Sequence, residues 1–390
     1  MKKFFYVCVI LCFSLLLQKV KANDGVYYAQ GNQLIPITET DIRVQKEVLT
    51  IQQLGNEYLV TVYYEFFNPG KDKDILVGFE ANPPYPQSLN SIDDAMSYTE
   101  HPYIHDFSVR VNQENLLFDV ARVCDSNYYD HNQWMEISRQ RLQEMDGEIP
   151  VDDWMNLPYR FVYHFNAHFK EGVNIVQHQY RYRGNVNIAG NGFNYVLTAA
   201  NRWANHQIDD FTLILELDSM STYYLNQYEE KFFSSIDNWQ IQGGQGQLKI
   251  MSETYPSGLG HEWLAIHLRS GKVVFQAKNF HPTAELSLIK PIPFEIEHIS
   301  KELNTIGYNA FLLWNGDAAY LSDHLKQCKK NATRKERQIW AYLPYAYRGH
   351  IFKNKYLKKL FESTDWYIAL PNATQTLSEK ELNWVEFWCN

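Results

Sequence analysis

Cysteine is scarce in this chain. Five occur in 390 residues, and two of them, Cys8 and Cys12, lie in an apolar N-terminal stretch. Three cysteines in the rest of a chain this long exclude a disulfide scaffold. Long apolar runs are also scarce. Phe4 to Leu17 is broken only by Ser14, and no second run of that length follows. The run is shorter than the ~20 apolar residues a membrane helix needs. Lys2 and Lys3 precede it, and Val20-Lys21-Ala22 places small or apolar residues at the −3 and −1 positions before Asn23. That order predicts a secretory signal peptide cleaved after Ala22, with a periplasmic or secreted destination. The alternative is a retained N-terminal anchor. Cys12 sits inside the apolar run rather than at its end, which argues against a lipid-modified cysteine.

Catalytic signatures are missing as well. The sequence contains no GxSxG, HRD, P-loop or GxGxxG motif. No HExxH or paired CxxC occurs either. His164 and His168 are four apart but fall in a strand-like stretch, which separates them by ~13 Å. His101 and His105 flank Pro102, which disfavours a helix that would bring them to one face. No metal and no cofactor is expected. Cys124 reads as a small buried thiol unless a histidine lies near it in space. The pairs Asp93-Asp94 and Asp152-Asp153 read as solvated loops, with a glycosidase pair as the alternative. Asp125-Ser126-Asn127 lacks the spaced acids of a calcium loop.

Positive charge is deficient overall and concentrated locally. Residues 1–22 carry four lysines and no acid, so the remaining 368 residues carry 32 basic and 45 acidic side chains, a net charge of −13. Residues 329–360 hold ten lysines and arginines against Glu336 alone, a local +9, which leaves −22 for the rest. Opposite fields of that size point to docking or to a charged partner. The two readings are a basic unit resting on its own acidic body and a basic unit binding an anionic envelope polymer or a protein partner. A solvated helix face is the third. Nucleic acid is not expected for an exported chain.

Residues 42–290 read mostly with period two, the signature of strands. Ile42, Val44, Lys46 and Val48 alternate with polar neighbours. Tyr58, Val60, Val62, Tyr64 and Phe66 follow after Gly55-Asn56 and end at Asn68-Pro69-Gly70. Phe107, Val109 and Val111 face Leu116, Phe118 and Val120 across Asn112 to Asn115 as an expected hairpin. Phe161 to Phe169 runs to Lys170-Glu171-Gly172. The return shows either Ile175, Gln177, Gln179 and Arg181 or Val176, His178, Tyr180 and Tyr182 on its core face. Short turns favour antiparallel sheets and sandwich packing, and no helix alternates with strands as a parallel α/β sheet requires. Two β units are expected, with a break near 124–157, where Asn132 to Met145 suits one helix.

Lys290-Pro291-Ile292-Pro293 marks a linker, and beyond it the period becomes helical. Thr333 and Glu336 form a capping box for a helix to about Leu343. Ser378 and Glu381 form a second, with Leu377 and Leu382 as a staple. Tyr345, Ile351, Phe352, Tyr356, Leu357, Leu360, Phe361 and Trp366 read as core. Gly349 permits a turn. Arg348 partners a buried carboxylate or carbonyl, or else contacts a ligand. Arg348, Lys353, Lys355, Lys358 and Lys359 form the candidate basic surface. Cys328 and Cys389 bracket the segment and are bridge candidates, with free thiols as the alternative; a bridge would stabilise by up to ~4 kcal/mol.

Tyr345-Ala346-Tyr347-Arg348-Gly349, with Ile351-Phe352, Leu357, Phe361, Trp366-Tyr367 and Leu377-Ser378…Glu381…Asn383, resembles the YARHG domain, an extracellular bacterial domain. The resemblance covers about 330–388. Tyr347 and Arg348 stand where the family has Arg and His. Gly25-Val26-Tyr27-Tyr28, Tyr64-Glu65-Phe66-Phe67-Asn68-Pro69, Val77-Gly78-Phe79-Glu80-Ala81, His178-Gln179-Tyr180-Arg181-Tyr182 and Tyr195-Val196-Leu197-Thr198-Ala199 resemble the secreted bacterial family called domain of unknown function 4424, over roughly 23–290. The two resemblances imply an extracytoplasmic β-rich body followed by a YARHG-like unit, and no activity.

The sequence therefore predicts an α+β protein: a mainly antiparallel, sandwich-like N-terminal region and a small C-terminal helical domain. Its parts are a leader (1–22), a β-rich region (23–290), a linker with a helical connector (291–329) and the helical domain (330–390). The expected function is non-catalytic binding or envelope association, the alternative a secreted hydrolase with a site on the β-region loops. Tyr345, Gly349, Phe352, Trp366, Ser378 and Glu381 are the expected structural residues.

Overall fold

The structure, a computed structural model, describes residues 25–26, 34–37, 40–55, 57–81, 97–123, 129–130, 132–146, 160–187, 190–218, 221–226, 235–251, 263–291, 326–327, 329–363, 367, 369–370, 376–377 and 379–390. The strands are β1 Gly25–Val26, β2 Leu34–Pro36, β3 Arg43–Leu54, β4 Glu57–Asn68, β5 Lys73–Ala81, β6 Ile104–Val111 and β7 Glu114–Leu116. Then come β8 Asp119–Val123, β9 Tyr129–Asp130, β10 Gln133–Trp134, β11 Arg160–Phe169, β12 Gly172–Arg183, β13 Asn185–Asn187 and β14 Gly190–Tyr195. The last are β15 Ile208–Glu216, β16 Ser221–Asn226, β17 Trp239–Gln242, β18 Gly246–Met251, β19 Trp263–Leu268, β20 Lys272–Phe280 and β21 Leu286–Pro291. The fold is α+β: a β-rich body and a small C-terminal helical part.

An eight-stranded sheet, ordered β17-β20-β15-β3-β4-β12-β6-β7, forms one layer. A four-stranded sheet (β2-β5-β11-β8) and a seven-stranded sheet (β1-β13-β14-β21-β16-β19-β18) supply the other strands of the body, except β9 and β10, which pair as a two-stranded ribbon. Pairing among the described strands is antiparallel except between β3 and β15. One continuous apolar core joins the three larger sheets. Phe79 of the four-stranded sheet stands edge-on to Tyr180 at 5.0 Å. Phe193 of the seven-stranded sheet meets Tyr58 at 4.9 Å. Each large apolar side chain so buried contributes about 1.5–3 kcal/mol.

Several strand expectations change in the structure. A register shift between Val44 and Lys46 inserts a bulge in β3. Ile42 and Val44 face the core, but Glu47, Leu49 and Ile51 do so after the bulge, and Val48 does not. An extra residue in one strand turns every later side chain over, because the side-chain period is two. On β12 the buried set is Asn174, Val176, His178, Tyr180 and Tyr182. Asn112 and Gln113, at φ 47° and 74°, close the β6–β7 hairpin. Phe118 and Val120 do not continue that hairpin; the chain leaves for the four-stranded sheet, where β8 pairs β11.

The interval 124–157 is not a break between two β units. β4 lies before it and β12 after it, yet the two pair along twelve residues of the same sheet. The helix expected over 132–145 is shorter, Arg139–Asp146, because Gln133 and Trp134 pair with β9 instead. Trp134 is thereby stacked on His164 at 4.2 Å.

Beyond the β body, three helices enclose a second core that shares no residue with the first. The first is Arg334–Tyr347. Thr333 caps it as expected: its amide donates to Glu336 Oε2 at 2.6 Å and its hydroxyl accepts from the Glu336 amide at 3.3 Å. The helix passes the expected end at Leu343 and includes Pro344. Pro344 lacks the N–H that would bond the Trp340 carbonyl one turn back. Trp384 supplies the missing donor, its indole N–H reaching Trp340 O at 2.8 Å. The second helix, Lys355–Glu362, is capped by Asn354 Oδ1, which accepts from the Tyr356 and Leu357 amides. The third is Glu379–Cys389.

Candidate functional site

The helical unit is built around Trp340, Phe352, Leu357, Leu360, Phe361, Trp384 and Trp388, all buried. Trp340 stacks on Trp388 at 5.9 Å. The three tryptophans were not among the expected core residues, although their seven- and four-residue spacings to other apolar positions carry helical period. Tyr345 and Tyr356 are half-buried, and Phe352 is buried. Ile351 departs from expectation: it is 44% exposed. It lies on the non-helical connection between the first two helices, where no helical period sets its direction. Trp366 and Ser378 lie outside the described residues, and Tyr367 is buried beside Phe352 and Phe361.

The turn at Gly349 is pinned at several points. Gly349 has φ 76°, a conformation that costs a side chain about 1–2 kcal/mol. Its amide donates to Ala346 O, its carbonyl accepts from the Leu370 amide, and the His350 amide donates to Tyr345 O. The Tyr367 hydroxyl donates to His350 O at 2.6 Å, and burial pushes that phenol up to about 12.

Arg348 makes a two-pronged pair with Glu381: Nε to Oε1 at 3.1 Å and Nη2 to Oε2 at 2.6 Å. The pair is three-quarters or more buried at both ends. It joins the turn after the first helix to the first turn of the third. A guanidinium held this way has its planar donor edge occupied. Of the expected basic residues, Lys353, Lys355, Lys358 and Lys359 are exposed. Lys358 meets Glu362 at 3.8 Å. Lys353, Lys355 and Lys359 have no carboxylate partner among the described residues. Leu357, Leu360 and Phe361 bury the opposite side of the same helix, so the lysines are held outward. Cys389 is a free, exposed thiol; Cys328 lies outside the described residues.

The β body holds a different polar group. His178 is buried to 2% exposure, and neither ring nitrogen has a hydrogen-bond partner. Tyr64 and Tyr180 stack on its faces at 5.8 and 6.1 Å, with Phe79 and Phe107 around it. Burial drives its pKa down to about 3, so the imidazole is neutral. The bulge in β3 places Glu47 beside Tyr64 on the same inner face. Burial, with Tyr64 and the Glu47 carboxylate, raises Tyr195 far above an ordinary phenol. This is a packed core, and the sequence alternation of β12 already carried it as one of two open faces.

Other described histidines are separately engaged. His101 is buried, and its backbone amide donates to the Tyr163 hydroxyl at 3.0 Å. His105 meets Glu57 at 3.1 Å, and His168 meets Asp74 at 2.8 Å. Burial lowers His164, opposed by Asp119 and Glu136. Among the described residues no three His, Cys, Asp or Glu side chains gather as a metal set. Asp93, Asp94, Cys124, Asp125, Asp152 and Asp153 lie outside the described residues. A shallow cleft of about 440 Å³ lined by Thr40, Asp41, Lys73 and Ile75 opens on the surface, with the Lys73–Asp41 ion pair inside it. No helix of the described residues is long and apolar enough to cross a membrane.

No family model and no curated protein matches the chain. In backbone shape it is similar to a Legionella pneumophila protein provisionally described as nutrient-binding, with a TM-score of 0.48 and 18% identity, over 94% of this chain and 100% of that one. It is also similar to baculovirus P35, with a TM-score of 0.26 and 11% identity, over 65% of this chain and 98% of that one.

Proposed function

We propose that this is an exported, non-catalytic binding protein associated with the cell envelope. Its recognition surface is the cationic side of the C-terminal helical unit, and its ligand is an anionic envelope polymer. One observation carries the reading. Lys353, Lys355 and Lys359 stand exposed with no carboxylate partner among the described residues, on a segment whose opposite side is locked into an apolar core. A merely solvated face is usually laced with acids at i,i+4 spacing; among the described residues of this helix only Lys358 has one, Glu362. The signal-like leader and the YARHG-like residues Tyr345, Ala346 and Gly349 support the extracytoplasmic setting. Arg348 serves the unit's own architecture in this reading, through Glu381.

The test is binding of the full chain to sodium polyglutamate across a salt series. Affinity should fall steeply as ionic strength rises, because exposed charges are screened within a Debye length of ~10 Å at 0.1 M salt. Replacing Lys353, Lys355 and Lys359 with alanine should weaken binding with no change in melting temperature. Absence of binding at low salt, or affinity indifferent to salt, removes the reading.

A further inference from the structure

The basic surface borders an aromatic ledge. Tyr342 and Tyr345 lie three residues apart on the first helix of the unit, with ring centroids 5.9 Å apart. His350 continues the row, 6.0 Å from Tyr345 and 4.9 Å from Phe352. Phe352 is buried beneath and meets Tyr342 at 5.8 Å. Tyr342 is 37% exposed and Ile351 44% exposed. The backbone under the ledge is fixed by the bonds from Tyr367, Leu370 and His350. The rings are therefore presented with little freedom to lose on binding.

Charge around the ledge has one sign to spare. Lys353 and Lys355 follow directly from Phe352 and are unpaired among the described residues. Among the described residues, Glu336 is engaged with the Thr333 amide, Glu362 with Lys358 and Glu381 with Arg348. Flat rings beside unpaired ammonium groups suit a ligand with both a ring face and an anionic group. Aromatic faces stack on the C–H face of a pyranose, and a simple polyanion offers no such face.

Resting on the binding function above, we propose that the polymer is an acidic polysaccharide. Its pyranose rings stack on Tyr342, Tyr345 and His350, and Lys353 and Lys355 meet its carboxylates.

The experiment compares two polymers that carry one carboxylate per residue, polygalacturonate and polyglutamate, on the full chain. Polygalacturonate should bind roughly tenfold tighter, the scale of one or two ring contacts. Tyr342→Ala should remove that advantage and leave polyglutamate binding unchanged; Tyr342→Phe, which keeps the ring, should restore it. Equal affinities for the two polymers, or a preference untouched by Tyr342→Ala, overturn the polysaccharide assignment and leave the cationic binding function standing. Failure of both polymers to bind overturns the two together.

Discussion

Trp384 and Trp340, 44 residues apart in sequence, are joined by a buried hydrogen bond from the Trp384 indole to the Trp340 carbonyl at 2.8 Å. That carbonyl is open because the residue one turn later is Pro344. The helix tolerates a proline because another helix supplies the donor.

This relationship makes a two-mutation test. Trp384→Phe should cost about 1–3 kcal/mol beyond its packing loss, the scale of a buried acceptor left unmade. Pro344→Ala restores an N–H at the right place. In that background the same Trp384→Phe change should cost measurably less in urea denaturation. Equal costs in both backgrounds would mean the bond contributes nothing.

Arg348→Ala should destabilise the helical unit by about 1–2 kcal/mol, between the values for exposed and fully buried pairs, because the pair with Glu381 is mostly buried. Arg348→Lys should recover only part of this, since an ammonium cannot make the two-pronged contact. Thermal melting checks the order. Unchanged stability with lost polymer binding would return Arg348 to the ligand surface.

His178 predicts a pH slope. Its folded pKa is held down near 3 by burial, against about 6.5 when unfolded. As pH falls from 6.5 towards 3 the unfolded chain takes up a proton that the native chain does not, so stability falls in that window and is full above it. At pH 4.5 the loss from this group is about 2–3 kcal/mol. His178→Phe should lower stability at pH 7 little or not at all, since no hydrogen bond is lost, and should flatten the acid-side slope. Urea midpoints at pH 7 and 4.5 for both proteins decide it; parallel losses sink the assignment.

Gly172 turns the chain from β11 into β12 with φ 88°, and a side chain there would meet nothing within 4 Å. Gly172→Ala should therefore cost only its backbone strain, about 1–2 kcal/mol. Gly172→Asn should cost less, because asparagine tolerates that region better. Chemical denaturation of the two variants should rank them in that order.

The sequence alone was sufficient wherever the physics is local. Alternation along residues 58–66 marks β4, because neighbouring side chains on a strand point to opposite faces. Thr333 and Glu336 mark a helix start, because a capping box spans three residues. The change of period after Pro293 marks the helical unit. Tertiary structure decided everything that depends on a distant partner. The bulge at Val44/Lys46 put Glu47, not Val48, inside, and no residue near it in sequence announces the extra position. His178 was sealed among rings from three other strands, β4, β5 and β6. Pro344 reads locally as a helix stop; only the arrival of Trp384 makes it a helical residue. Arg348 had two open roles until Glu381, 33 residues on, was folded against it. Local chemistry names the elements, but a hydrogen bond or buried charge takes its meaning from whichever group the fold brings within 3 Å.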